Sequence, residues 1–497
     1  MIHLAVAQPD AFTAIFLVAA IGLALAFEFV NGFHDTANAV ATVIYTNTLK
    51  PNIAVVWSGI WNLLGVLSSK GLVAYTIVAL LPAELVLNIG TGSGFAMIFA
   101  LLVSAILWNV GTWYFGLPAS SSHTLIGSII GVGVANALMN GRSVADGVNW
   151  DKVKEVGITL LCSPIFGFVC AALLLLALKA AVKNRALFEA PEKGKAPPPW
   201  IRAILVATCT GVSFFHGRND GQKGQGLIVL ILVGILPGMY ALKMDENPEG
   251  VHAIVTQSQT ASAIFAKHAQ GAAAPADAKS LNGEIGGFAK SGKATPVTYA
   301  SLAAASQTVE QKLSSVKTFS DLADGDRIAV RTDLYLIANA IGKLDKGKIL
   351  GGDEMKTLKA YADSLNDVTK YIPLWVKCAV ALALGLGTMI GWKRIVVTVG
   401  EKIGKSHLNY AQGASAELVA AATIGLADGL GLPVSTTHVL SSGVAGTMFA
   451  NKSGLQMDTL RNILMAWVLT LPVCVFLGSM LFAFGNLLVL NHVFGLK

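Results

Sequence analysis

Charge is what this chain has least of. Asp, Glu, Lys and Arg make up 13% of its 497 residues, where a soluble chain carries about 25%. An ordinary soluble domain is therefore excluded. Cysteine is equally uninformative as a framework. Cys162, Cys170, Cys209, Cys378 and Cys474 all lie in or beside apolar runs, and none forms a CxxC pair. A disulfide scaffold or zinc site has no support, and the five read as small buried hydrophobes. There is no Walker motif, so nucleotide-driven chemistry is not supported. No basic face alternates with aromatics, which argues against nucleic-acid binding. The N-terminus lacks a basic n-region, so the first apolar segment is expected to stay uncleaved.

What remains is apolar. Hydrophobic residues make up 54% of the chain, and mean hydropathy is +0.62. A membrane span needs about 20 apolar residues. Candidate spans are 11–30, 53–69, 95–115, 125–139, 156–178, 201–215 and 227–241, then 374–392, 414–430, 439–450 and 463–490. The last could hold one long span or two short ones. The predicted fold class is an all-α integral membrane protein with about ten to twelve transmembrane helices. The net charge of +7 reads as the Lys/Arg excess of cytoplasmic loops, and it is also compatible with an anionic substrate.

Two apolar blocks, 1–182 and 203–497, flank a polar linker at 183–202 that contains Pro197-Pro198-Pro199 and several basic residues. The linker reads as cytoplasmic. A hydrophilic insert, 243–371, divides the second block into 203–242 and 372–497. A second basic cluster, Lys393, Arg394, Lys402 and Lys405, reads as cytoplasmic too. One span separates it from the insert, so the insert is expected outside, in the periplasm. Within it, Leu334, Ile337, Ile341 and Leu344 recur at helical spacing, which predicts a small helical cap or hairpin. The Gly/Ala-rich stretch 261–295 is expected to be flexible.

Two polar motifs occur twice. Asn31-Gly32-Phe33-His34-Asp35-Thr36-Ala37-Asn38-Ala39 is echoed by Phe215 through Gly224, and Pro118-Ala119-Ser120-Ser121-Ser122-His123-Thr124 by Pro433-Val434-Ser435-Thr436-Thr437-His438-Val439. His34 and His123 are 89 residues apart, and His216 and His438 are 222 apart. The excess of 133 is close to the 129 residues of the insert. Without the insert the halves fall into register. The first half then begins outside and the second inside, so two inverted-topology repeats are predicted, and paired polar breaks in such halves point to a transporter's binding site.

A buried carboxylate is costly unless it is paired, protonated or bound to a cation. Asp35 and Asp220 are therefore candidates for holding a coupling cation, a proton or a metal travelling with the substrate. Asn38 and Asn219 supply neutral donors and acceptors. Glu28, two helical turns before Asp35, is a candidate proton carrier or a contact to a neighbouring helix. Each Pro-Ser/Thr run looks like a half-helix start, with Pro in the first turn and hydroxyls at the cap. Its free N–H groups and positive dipole end attract an anion, and Ser120, Ser121, Ser122, Ser435, Thr436 and Thr437 add hydroxyls. His34, His123, His216 and His438 titrate near neutrality and could couple protons or simply hydrogen-bond; they are not read as metal ligands. Lys223 and Arg218 could pair with Asp220 or touch the anion.

Together these motifs resemble the inorganic phosphate transporter (PiT) family, most closely its bacterial low-affinity phosphate symporters. The likeness spans both membrane halves and includes the 113–118 and 387–392 segments around Trp113 and Trp392. It implies an inverted-repeat fold with half-helix hairpins and phosphate held between the hydroxyl runs and the Asn/Asp motifs. It also implies proton coupling, phosphate carried as a neutral complex with a divalent metal such as magnesium, no bound cofactor and no enzymatic activity. Sodium coupling stays open. The expected partners are inorganic phosphate, membrane lipid and, as an open alternative, a second copy of the chain; the expected location is a bacterial inner membrane, multi-pass. The family usually has a small residue where this chain has Arg218, which bears on the substrate geometry. The alternatives are a permease for sulfate or another oxyanion on the same fold, and an intramembrane phosphate-ester hydrolase.

Overall fold

The computed structural model describes residues 11–81, 92–192 and 194–487, with the backbone alone at 36–38, 92 and 290. Helices make up nearly all of the regular structure, and no strand forms among the described residues. The described residues divide into two compact units, 12–234 with 372–487, and 235–371 with Ala11.

The larger unit is read through twelve helices. The first six are α1 (Ala11–Tyr45), α2 (Pro51–Leu67), α3 (Leu72–Val78), α4 (Gly92–Tyr114), α5 (Ser121–Met139) and α6 (Trp150–Ala181). After them come α7 (Pro199–Ile235), α8 (Leu374–Thr388), α9 (Lys393–Glu401), α10 (Tyr410–Gly429), α11 (Thr436–Ala450) and α12 (Met457–Phe484). By length and composition, α1, α4, α5, α6 and α12 can each cross a membrane, and α2 with α3, bent by 75°, passes together. The further spans in the expected ten to twelve would have to come from helices such as α7, α8, α10 and α11, which bury polar residues.

Two expectations need correcting, and one alternative left open is resolved. The Asn/Asp motifs do not break their helices. α1 and α7 run 35 and 37 residues straight through them, so the expected spans 201–215 and 227–241 are one helix. His34, Asp35, His216, Asn219 and Asp220 are buried against other helices, so the backbone need not open to satisfy them. The 463–490 segment begins as one long helix, α12. The prolines of the hydroxyl runs stand before the helices, not in their first turn. Ser120 and Ser435 are the N-caps, each accepting the backbone N–H three residues on, from His123 at 3.2 Å and His438 at 3.1 Å. Gly116 and Gly431, with φ of 67° and 68°, turn the chain ahead of each proline in the left-handed region that glycine tolerates best.

Small residues set the packing, as expected where lipid removes the hydrophobic drive between helices. A Cβ on Gly32 of α1 would strike Leu384 O of α8, and one on Gly217 of α7 would strike Asn62 O of α2. Likewise Gly387 of α8 is pressed on Phe29 O of α1, and Gly65 of α2 on Phe214 O of α7. The hydroxyl-run helices exchange partners in the same way. Gly131 of α5 meets Val475 O of α12, and Gly446 of α11 meets Phe168 O of α6.

The smaller unit is the insert. It is more than a hairpin: Pro248–His268, Ala278–Ser291, Pro296–Ser314, Asp324–Lys346 and Gly352–Thr369 are all helical. They enclose their own core around Phe265, Leu302, Val309, Leu334, Ile337 and Leu358. The stretch 261–295, expected to be flexible, lies mostly in the first two of these helices. Alanine's helix propensity and the Asp277 N-cap, which accepts from Ser280 N at 2.8 Å, outweigh its glycines.

Candidate functional site

Asp35, on α1, sits at the meeting point of both hydroxyl runs. Ser121 Oγ of α5 donates to one carboxylate oxygen at 3.0 Å, and Thr437 Oγ1 of α11 donates to the other at 2.6 Å. His34 Nδ1 lies 3.0 Å from the same carboxylate, with its Nε2 3.0 Å from Thr112 Oγ1. The first turns of two short helices thus converge on one carboxylate, although 402 residues of chain separate Thr437 from Asp35.

Asp220, on α7, faces it. Lys223 Nζ lies 2.8 Å from Asp220 Oδ2 and donates to Ser121 Oγ at 2.9 Å. The ammonium therefore links the two aspartates through one serine. His216 Nε2 is 3.3 Å from Asp220 and 3.9 Å from Asp35. Asn62 of α2 steadies this ring, its Oδ1 lying 2.7 Å from His216 Nδ1. Asp35, His216, Asp220 and Lys223 are all buried, with Lys223 and Asp220 fully so. A buried lysine or aspartate is tolerated only with partners of this kind. One oxygen or nitrogen from each of Asp35, His216 and Asp220 falls within 4.8 Å of the others, a grouping able to hold a cation. His216 thus joins a potential ligand set that the sequence reading had withheld from the histidines.

The other expected site residues spread around this centre. Ser122 Oγ donates to Val434 O at 2.9 Å, tying one run to the other. Asn219 Nδ2 donates to Leu432 O at 3.2 Å, just before the second run. Thr436 is buried in the first turn of α11. The hydroxyls of Ser120 and Ser435 serve as the caps. The His123 and His438 rings lie tilted against each other with centroids 4.7 Å apart, and His438 stacks on the Trp467 ring at 4.0 Å. Glu28 is buried against α7, accepting Gly224 N at 2.6 Å. The side chain of Asn38 lies outside the described residues.

Arg218 turns away from the centre. Its Nε lies 2.5 Å from Asp428 Oδ2, and Gln222 Nε2 donates to the other oxygen of Asp428 at 2.6 Å. Asp428, Asn62, Thr112 and the buried Glu417, which accepts from Thr208 at 2.5 Å, were missed. For Asp428, Asn62 and Glu417 a lone acid or amide in an apolar run was the signal; the Thr112 hydroxyl gave none.

The comparisons with known proteins agree. The sequence model of the phosphate transporter family matches residues 31–478. The chain belongs to that family. The low-affinity inorganic phosphate transporter PitA of Escherichia coli (strain K12) is 42% identical over 97% of this chain and 99% of its own length. PitB of the same strain is 43% identical over 95% and 97%. A solved structure titled "The sodium-dependent phosphate transporter" aligns with a TM-score of 0.53 at 18% identity, covering 95% of this chain and all of that one. That likeness concerns the fold alone. Membership makes the chain a transporter of inorganic phosphate rather than an enzyme, so the hydrolase alternative falls.

Proposed function

We propose that this chain is a proton-coupled symporter that imports inorganic phosphate across a bacterial inner membrane, with its substrate centre between Asp35 and Asp220. One observation carries the reading: both hydroxyl runs and both Asn/Asp motifs meet within hydrogen-bonding distance of Asp35 and Lys223.

The charges explain why an anion would need a companion. Ionised Asp35 and Asp220 against one ammonium leave a negative centre, and phosphate is negative as well. At low dielectric that repulsion is severe. A proton on the cluster, or a divalent metal entering with phosphate, removes it. Asp35, His216 and Asp220 are placed for either role. Once the carboxylates are neutralised, Ser121, Thr437 and Lys223 can turn their donors to the phosphate oxygens. The first-turn N–H groups of α5 and α11 add to that field.

Reciprocal packing supports inverted repeats. Registering Asp35 on Asp220 pairs Gly32 with Gly217 and Phe29 with Phe214; registering His123 on His438 pairs Gly131 with Gly446 and Gly116 with Gly431. Each pair makes the equivalent contact in the opposite half. The better match is therefore aspartate to aspartate, with His34 opposite Asn219, rather than His34 to His216. Rocking one half against the other would alternate access. In this reading the insert lies in the periplasm.

Radiolabelled phosphate uptake into proteoliposomes tests the proposal. An inward proton gradient should drive accumulation, magnesium should increase it, and Asp220→Asn should abolish it. Uptake driven only by sodium would move the coupling ion. Sulfate uptake without phosphate uptake would overturn the substrate.

A further inference from the structure

We propose that the cleft between the end of α4 and the short helix α9 is a second phosphate-group site, separate from the buried centre. The choice of phosphate over other anions rests on the reading above; the site itself does not. The cleft measures about 590 Å³. Trp113, Tyr114 and Phe115 form one wall, and Lys393, Arg394 and Lys402 bring three cations to the other. Among the described residues no carboxylate lines it.

Arg394 is held in place. The Arg394 guanidinium carbon lies 5.2 Å from the Trp113 ring centroid and 4.9 Å from that of Tyr114. One of its nitrogens donates to Tyr114 O at 2.8 Å. A guanidinium carries five N–H donors in a fixed fork that suits phosphate, so donors remain for a ligand. α9 is pinned as well, because Thr398 donates to Gly116 O and Trp113 Nε1 to Gly391 O, both at 2.8 Å. A snorkelling lysine or arginine of an interfacial belt needs no such clamp.

The internal register shows that the fold does not demand these charges. In the other half, Leu72 stands where Arg394 does and Asp428 where Trp113 does, with Leu72 placed against Gly431 as Arg394 is placed against Gly116. The basic mouth is therefore a property of one side only. It is also close to the centre. The Trp113 and Phe33 rings pack edge-on with centroids 5.0 Å apart, and Phe33 is next to His34, which holds Asp35. A phosphate group bound here stands one aromatic layer from the transport centre. The group could belong to free phosphate or to a phospholipid head.

Lysine acylation of the full-length protein, read by mass spectrometry, tests this. In maltoside detergent, inorganic phosphate at twice its Kd should slow labelling of Lys393 and Lys402 about threefold relative to chloride at equal ionic strength. Exposed Lys405, outside the cleft, should not change, and the protection should persist in Asp220→Asn. A second arm uses nanodiscs containing phosphatidylglycerol without phosphate; protection there and none from free phosphate assigns the site to a lipid head. Equal labelling in every arm, or equal slowing at Lys405, overturns the site. Protein that shows protection but does not accumulate phosphate in proteoliposomes would keep the cleft and lose the transport reading.

Discussion

The two units of this chain solve burial in opposite ways. The insert puts Phe, Leu, Ile and Ala inside and leaves pairs such as Lys359–Asp345 outside, 53% and 38% exposed. The membrane unit packs glycine against backbone and buries Lys223 and Asp220 completely. In water, charge belongs at the surface because solvation is free there. In lipid, charge is stable only where protein supplies the partners, so Asp35, Asp220 and Lys223 share one cluster and Arg218 pairs with Asp428 in another. The position of charge separates a packing unit from a working one.

Breaking the centre should have the largest effect. Lys223→Met leaves Asp220 without its ammonium, a loss of about 3–5 kcal/mol for a buried pair. Phosphate uptake should fall by ~100-fold or more, while Lys312→Met in the insert should leave the rate nearly unchanged; equal losses would erase the contrast.

Packing comes next. Gly131→Leu forces a side chain onto Val475 O. Destabilisation of at least about 1–3 kcal/mol is expected, read as a lower melting temperature of the purified protein. Gly286→Ala, in an insert helix where nothing lies within 4 Å of a new Cβ, should if anything stabilise the insert.

An intermediate effect sharpens the comparison inside the insert. Burial pushes the Asp333 carboxyl up to about 6, against the opposing pull of Lys312. The ordinary value is about 3.9. The folded state therefore holds its proton at pH values where the unfolded chain has lost it. Insert stability should fall as pH rises from about 4 to about 6, and level off above. Asp333→Asn should flatten that profile and add about 3 kcal/mol at pH 7, measured by hydrogen exchange of the insert in the full-length protein. A profile that rises with pH would reverse the assignment.

The smallest effect lies at the surface. Lys359→Ala should cost about 0.2–1 kcal/mol in the same exchange experiment, shrinking further at high salt.

Much of this was legible in the sequence, for physical reasons. Hydropathy located the membrane helices because lipid filters composition strongly. The duplicated motifs gave Asp35, Asp220, Ser121 and Thr437 because few apolar segments tolerate such residues twice. The helical course of α1 and α7 through those motifs was not legible. Polar clusters read as breaks until their partners are known, and those partners lie on other helices. Arg218 had no visible role because Asp428 is 210 residues away. The helices around 261–295 were hidden by glycines that sit on exposed or open positions, where they cost little.

The measurement that bears most directly on the centre is phosphate accumulation in proteoliposomes by Ser121→Ala with Thr437→Val. These two substitutions remove one hydroxyl from each run without removing charge. Loss of gradient-driven accumulation, with helix content and melting temperature kept, is the expected result. Accumulation at the wild-type rate would show that phosphate passes elsewhere.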